Sequence, residues 1–181
     1  MKQLQLFVAL VVSILTLAGT ARETQVPSAL SFHFCGEGYR YDSYGLGAGS
    51  GYKREQFIPF WRDEGCYQQG LSDGKKVAAQ YPGDAWCVRA FGDATKLGFA
   101  GDMPVITSPS ECSHLGYIFG RSYLADNARR GRRDVVGDVC VNAYLRGKND
   151  RYESRPPTTG VDHQEATCYM TGYDDAGVVP R

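Results

Sequence analysis

Net charge is the first thing this chain lacks: its 181 residues carry 20 basic and 20 acidic side chains. That balance excludes the simplest nucleic-acid binder, which needs a strong excess of Lys and Arg. Histidine is scarce as well. His33, His114 and His163 form no His-Glu-x-x-His or similar helical pair. No two cysteines stand at Cys-x-x-Cys spacing, so the local ligand pairs of structural zinc sites are missing, and no metal or cofactor is expected. There is no Gly-x-Ser-x-Gly elbow for a hydrolase serine, and no dinucleotide or P-loop fingerprint. Beyond residue 17 no long apolar run occurs, so the mature chain is expected to have no membrane span.

What is present begins with an export signal. Lys2 precedes an apolar run from Leu4 to Leu17, and Gly19, Thr20 and Ala21 supply the small residues of a cleavage site before the polar Arg22-Glu23-Thr24-Gln25. The run is shorter than a spanning helix and is broken by Ser13 and Thr16. Residues 1–21 therefore read as a signal peptide and 22–181 as one domain, secreted or periplasmic. Cleavage removes one lysine and no acid, so the mature chain stays near neutral.

Six cysteines follow, and an even number in an exported chain reads as disulfides. They alternate between two local patterns. Cys35, Cys87 and Cys140 are each followed by two variable residues, a small residue and an aromatic ring: Tyr39, Phe91 and Tyr144. Cys66, Cys112 and Cys168 are followed by small residues at steps of four: Gly70 and Gly74, Gly116 and Gly120, Gly172 and Ala176. The alternation points to three degenerate repeats of about 50 residues. Two pairings compete. Joining each first-pattern cysteine to the next second-pattern one (Cys35–Cys66, Cys87–Cys112, Cys140–Cys168) closes three similar loops and brings two helix starts together. The rival set, Cys66–Cys87, Cys112–Cys140 and Cys35–Cys168, would join positions at opposite ends of tight antiparallel hairpins, about 20 Å apart, so the first set is favoured.

The four-residue steps put each small-residue strip on one helix face, where another backbone can approach. The fold class expected is mainly α, a small disulfide-stapled helical domain, with helices near 57–80, 84–95, 108–129, 135–147 and 162–176. Ser108-Pro109 with Glu111, Asp84, Asp134 or Asp138, and Asp162 with Glu165 supply the start signals. The opening stretch 22–53 reads as looser, because Tyr44 to Tyr52 carries glycine at every second position, as in a flexible loop.

Chemistry is less plainly written. The six cysteines are taken up in bridges, and Asp63, Glu64, Glu111 and Glu165 are carboxylates that a fold could oppose, as glycan cleavage requires. Glu64 beside Trp61 is the one acid next to a large ring. Arg129, Arg130, Arg132 and Arg133 form a cationic knot suited to gripping anionic groups; the alternatives are a solvated helix end, favourable at the negative pole, or a dibasic processing site. Tyr39, Phe91 and Tyr144 read as packing residues, whereas Tyr41, Tyr44 and Tyr52 read as a binding surface. The expected function is a non-catalytic interaction protein, an inhibitor, adhesin component or effector, whose partner is a protein or an envelope glycan. A carboxylate-dependent hydrolase of glycan or envelope polymer and a non-catalytic glycan binder are the alternatives.

Overall fold

Aspartates cap three of the helix starts among the described residues. Asp63 accepts from the Cys66 amide, Asp84 from the Trp86 and Cys87 amides, and Asp162 from the Glu165 amide, each satisfying donors that the first turn leaves open. The computed structural model describes residues 35–158 and 162–178; residues 1–21, read above as a signal peptide, and His33 lie outside the described residues. Six helices and no strand form among the described residues: α1 Tyr39–Lys53, α2 Glu64–Gln80, α3 Ala85–Ala100, α4 Ser110–Arg129, α5 Arg133–Tyr152 and α6 His163–Gly177. The α4 start differs from expectation. Pro109 stands at the cap position with no side-chain cap, and Ser113 instead bonds back to the Thr107 and Pro109 carbonyls. Neither Asp134 nor Asp138 caps α5, which begins after Arg132 and is interrupted at Gly137, φ 80°.

The helices associate in three pairs, α1 with α2, α3 with α4, and α5 with α6. Glycine contacts give each pair its direction. A methyl added to Gly70 would lie 2.0 Å from the Tyr44 carbonyl oxygen, and one on Gly74 would lie 2.1 Å from that of Ala48. Gly116 meets Phe91 and Gly120 meets Thr95 in the same way; Gly172 meets Tyr144, while Gly147 meets Tyr169. In the first two pairs positions advance together along both helices, and in the third the Cys140–Cys168 bridge precedes the glycine contacts on both, so the partners run parallel. A helix of 15 or 16 residues is about 23 Å long, and an extended return of nine or ten residues spans about 30 Å, so connectors of that length bring the second helix back to the level of the first. The cysteines then sit side by side, near the helix starts in the first two pairs and, on α5, just past the break at Gly137. Cys35–Cys66, Cys87–Cys112 and Cys140–Cys168 are the bridges, with alpha carbons 5.7, 5.3 and 5.3 Å apart.

The glycine-rich stretch expected as a loop is α1, buried continuously from Asp42 to Gly51. Its alternating glycines serve two neighbours. Gly47 and Gly51 face the α2 backbone at Tyr67 and Leu71, whereas Gly45 and Gly49 face Ile118, Phe119 and Ser122 of α4. A helix covered on two sides by close backbones needs small residues on both, and this offsets the poor intrinsic propensity of glycine. One ring also changes role. Tyr39 is only half-buried, and the residue of the first pair matching Phe91 and Tyr144 against the glycine strip is Tyr44, at 0% exposure.

Helix α4 organises the rest, touching all five other helices. Its first half, with Leu115, Ile118 and Phe119, closes a core with Tyr44, Leu46, Val77 and Phe91. Its second half, with Leu124 and Ala128, closes another with Val136, Val141, Tyr144 and Tyr169. No helix among the described residues is long and apolar enough to cross a membrane.

Candidate binding cleft

Three helices from three different pairs leave a cleft of about 600 Å³ between the start of α1, the middle of α4 and the outer face of α6. Its floor is an ion cluster. The Arg129 side chain, 2% exposed, puts Nη1 at 2.6 Å from Asp42 Oδ2, while its Nε and Nη2 donate to the two Asp175 oxygens at 2.7 and 3.0 Å. Burial opposes the charged guanidinium, but the Asp42 and Asp175 carboxylates outweigh it and hold Arg129 protonated. Burial pushes Asp42 upward against the pull of Arg129. The Trp61 ring lies 5.6 Å from the Arg129 guanidinium carbon. One cation thus ties α1, α4 and α6 together, which costs desolvation and fixes geometry.

Above that floor the charges are open. Glu37, Arg121 and Asp174 line the cleft, and none makes an ion pair within 4 Å among the described residues. Asp174 is pushed up by burial and by the Glu37 and Asp175 carboxylates, in spite of Arg151 and Arg121. Tyr41 also lines the cleft, its phenol pushed up to about 12, chiefly by burial. With four carboxylates against two guanidiniums, the lining is net acidic. A smaller hollow of about 220 Å³ shares Arg121, Thr167 and Met170 with the cleft and adds Met103, His163 and Ala166. The two make one groove along α6, whose residues 163, 166, 167, 170, 171 and 174 fall on a single helical stripe. At its far end His163 Nδ1 is 3.0 Å from Asp102 Oδ1, joining α6 to the α3–α4 connector.

The residues singled out in sequence fare differently. The cationic knot is dispersed: Arg129 is buried, Arg130 binds Asp126 and the Ile58 carbonyl, Arg132 pairs with Asp134, and Arg133 pairs with Asp138. Arg129 is thereby set apart from the rest, while Arg130 and Arg132 line one shallow hollow with Phe57, Phe60 and Tyr123, each paired with its own carboxylate. Tyr44 is buried and donates to Asp73 at 3.0 Å, so it presents no surface. Tyr52 stacks on Phe91 at 4.2 Å between the first two pairs, with its hydroxyl against Cys87 Sγ. Of the three tyrosines only Tyr41 reaches the cleft. The acids Asp63, Glu64 and Glu165 pair with Arg40, Arg62 and Arg146, and Glu111 accepts from Tyr81, so these carboxylates are not opposed across a pocket. Glu64 is at the surface, whereas Trp61 covers Arg129. His114 lies half-buried on α4.

Asp42, Arg121, Asp174 and Asp175 went unmarked because nothing local in sequence joins them. One signal existed: Asp175 follows Cys168 by the same seven residues as Asp73 follows Cys66. No group of three or more potential ligands suited to a metal occurs among the described residues. Comparison of the chain with protein-family models, curated proteins and solved structures gave no match.

Proposed function

We propose that this chain is an exported, non-catalytic interaction protein that holds a polypeptide partner in the α4–α6 groove. The observation that carries this reading is the cleft itself: a rigid floor made by Arg129, Asp42 and Asp175, beneath charged side chains left open to a partner. Three bridges and buried backbone contacts preorganise the groove, so little ordering is needed on binding. Disulfides belong to an oxidising compartment, in keeping with the signal-like N-terminus. Inhibitor, adhesin component and effector all remain forms of this one activity. A glycan partner is less well served, because Tyr41 is the only aromatic ring among the described residues that line the cleft.

Three degenerate repeats are part of the same proposal. Tyr44 with Asp73, Phe91 with Phe119, and Tyr144 with Asp175 are matching couples, polar in the outer pairs and stacked in the middle one: the first members meet Gly70, Gly116 and Gly172, and the second follow Cys66, Cys112 and Cys168 by seven residues. The test of function is capture from the native extracytoplasmic fraction with the mature oxidised chain, beside an R121A/D174N variant and a reduced, alkylated control. A partner retained by the native chain and lost by both controls supports the reading. Equal retention by the cleft variant overturns it.

One observation favours a second reading, a carboxylate-dependent hydrolase: the raised Asp174 stands near Glu37 in a substrate-sized cleft. In that case D174N would abolish turnover of an envelope polymer while leaving it bound. In the binding reading it would weaken binding, with no turnover to lose.

A further inference from the structure

The groove has a length and a polarity, and both bear on what it holds. Its α6 stripe from His163 to Asp174 rises eleven residues, about 17 Å at 1.5 Å per residue. An extended polypeptide advances about 3.3 Å per residue, so about five residues cover it. The ends differ in character. One carries Glu37 and Asp174, both exposed, over the buried Asp42–Arg129–Asp175 cluster. The other carries Met103, which is 78% exposed, with His163 and Ala166. Arg121 and Met170 lie in both hollows and so mark the middle.

We infer that the groove takes an extended polypeptide segment of about five residues, with a basic side chain seated between Glu37 and Asp174 and an apolar side chain against Met103 and Ala166. This rests on the binding reading and adds the chemistry and direction of the ligand. Two open carboxylates over a net-acidic floor favour a cation, and they exclude a phosphate or an anionic surface from that end. Arg121, with five N–H donors and no ion pair among the described residues, suits peptide carbonyls passing over the middle. The Tyr41 hydroxyl, which makes no hydrogen bond among the described residues, is a further donor or acceptor. Methionines adapt to varied side chains, whereas a sugar would ask for stacked rings that the far end does not offer. Burial and, after it, the nearby Glu37 and Asp175 carboxylates raise Asp174, and an ammonium or guanidinium seated there would relieve the repulsion.

The test is a positional-scanning library of acetylated, amidated pentapeptides, read by fluorescence polarisation on the mature oxidised protein at two salt concentrations. Lys or Arg should be preferred over Gln by about tenfold or more at one end position, and an apolar residue preferred at the other. Salt should weaken the basic preference. The E37Q/D174N variant should lose that preference and keep the apolar one; helix content by circular dichroism confirms its fold. Pentapeptides that bind with no basic preference would overturn the polarity while leaving the binding reading in place. A basic preference unchanged in E37Q/D174N would overturn its location. If no pentapeptide binds, the binding reading falls with it.

Discussion

Arg129 shows what a single buried cation does in a small helical protein. Its guanidinium bonds Asp42 of α1 and Asp175 of α6 at once, so removing it leaves two carboxylates buried without a counter-charge. R129M should lower stability by about 3–5 kcal/mol, read from the urea midpoint, and much of that loss should be recovered when D42N and D175N are added. Asp73 gives a pH dependence of definite sign. Burial acts to raise its carboxyl, but hydrogen bonds from Lys76, Gln69 and Tyr44 outweigh burial and hold it below the ordinary range. Such a group adds stability above its unfolded pKa of about 3.9, and the contribution is lost as pH falls through the native value. The acid limb of the stability curve should therefore flatten in D73N. Ser122 is the opposite case, a buried hydroxyl without a partner among the described residues. S122A should be neutral or stabilising by up to about 1 kcal/mol, by the same urea measurement.

At the scale of elements, the parallel pair is the construction unit and glycine is its joint. Gly116 and Gly172 stand where an added methyl would lie 2.2 and 2.0 Å from a carbonyl oxygen of the partner helix, and a backbone oxygen cannot swing aside. Gly92 lies inside α3 with nothing within 4 Å. The same substitution should therefore have opposite signs. G92A should stabilise by about 0.5–1 kcal/mol through helix propensity, while G116A and G172A should destabilise by about 1–3 kcal/mol, as shifts of melting temperature in opposite directions. The four-residue glycine strips and the Asp84 and Asp162 caps were legible in sequence because each is local to one helix, whereas the expected Asp134 or Asp138 cap does not form. Helix α1 was not legible. Glycine at every second residue is what a loop needs, and it is equally what a helix needs when packed on two faces; only the presence of α2 and α4 distinguishes the two.

Across the whole molecule, three covalent staples hold three pairs around α4. Each bridge closes 25 to 31 residues of chain and should contribute about 3 kcal/mol. The third pair meets the remainder through fewer anchors: Arg129 to Asp175, His163 to Asp102, and the core around Leu124 and Ala128. Replacing Cys140 and Cys168 by serine should therefore open α5 and α6 first, with their amides exchanging faster than those of α1 to α4 in native-state hydrogen exchange. Uniform acceleration over all six helices would count against a separately loosened pair. The groove should weaken with that opening, since α6 forms one wall.

The mainly helical class, the favoured cysteine pairing and the small-residue strips are readable from the order of residues alone, because helix period, capping and loop length are properties of short stretches of chain. Tertiary structure decided the direction of the pairs, the burial of α1 and Tyr44, and the dispersal of the four arginines. It also brought Glu37, Asp42, Arg121, Asp174 and Asp175 to one cleft. Those residues lie on three elements far apart in the chain, and their meeting depends on how α1 and α6 pack across α4, which no local pattern of residues encodes.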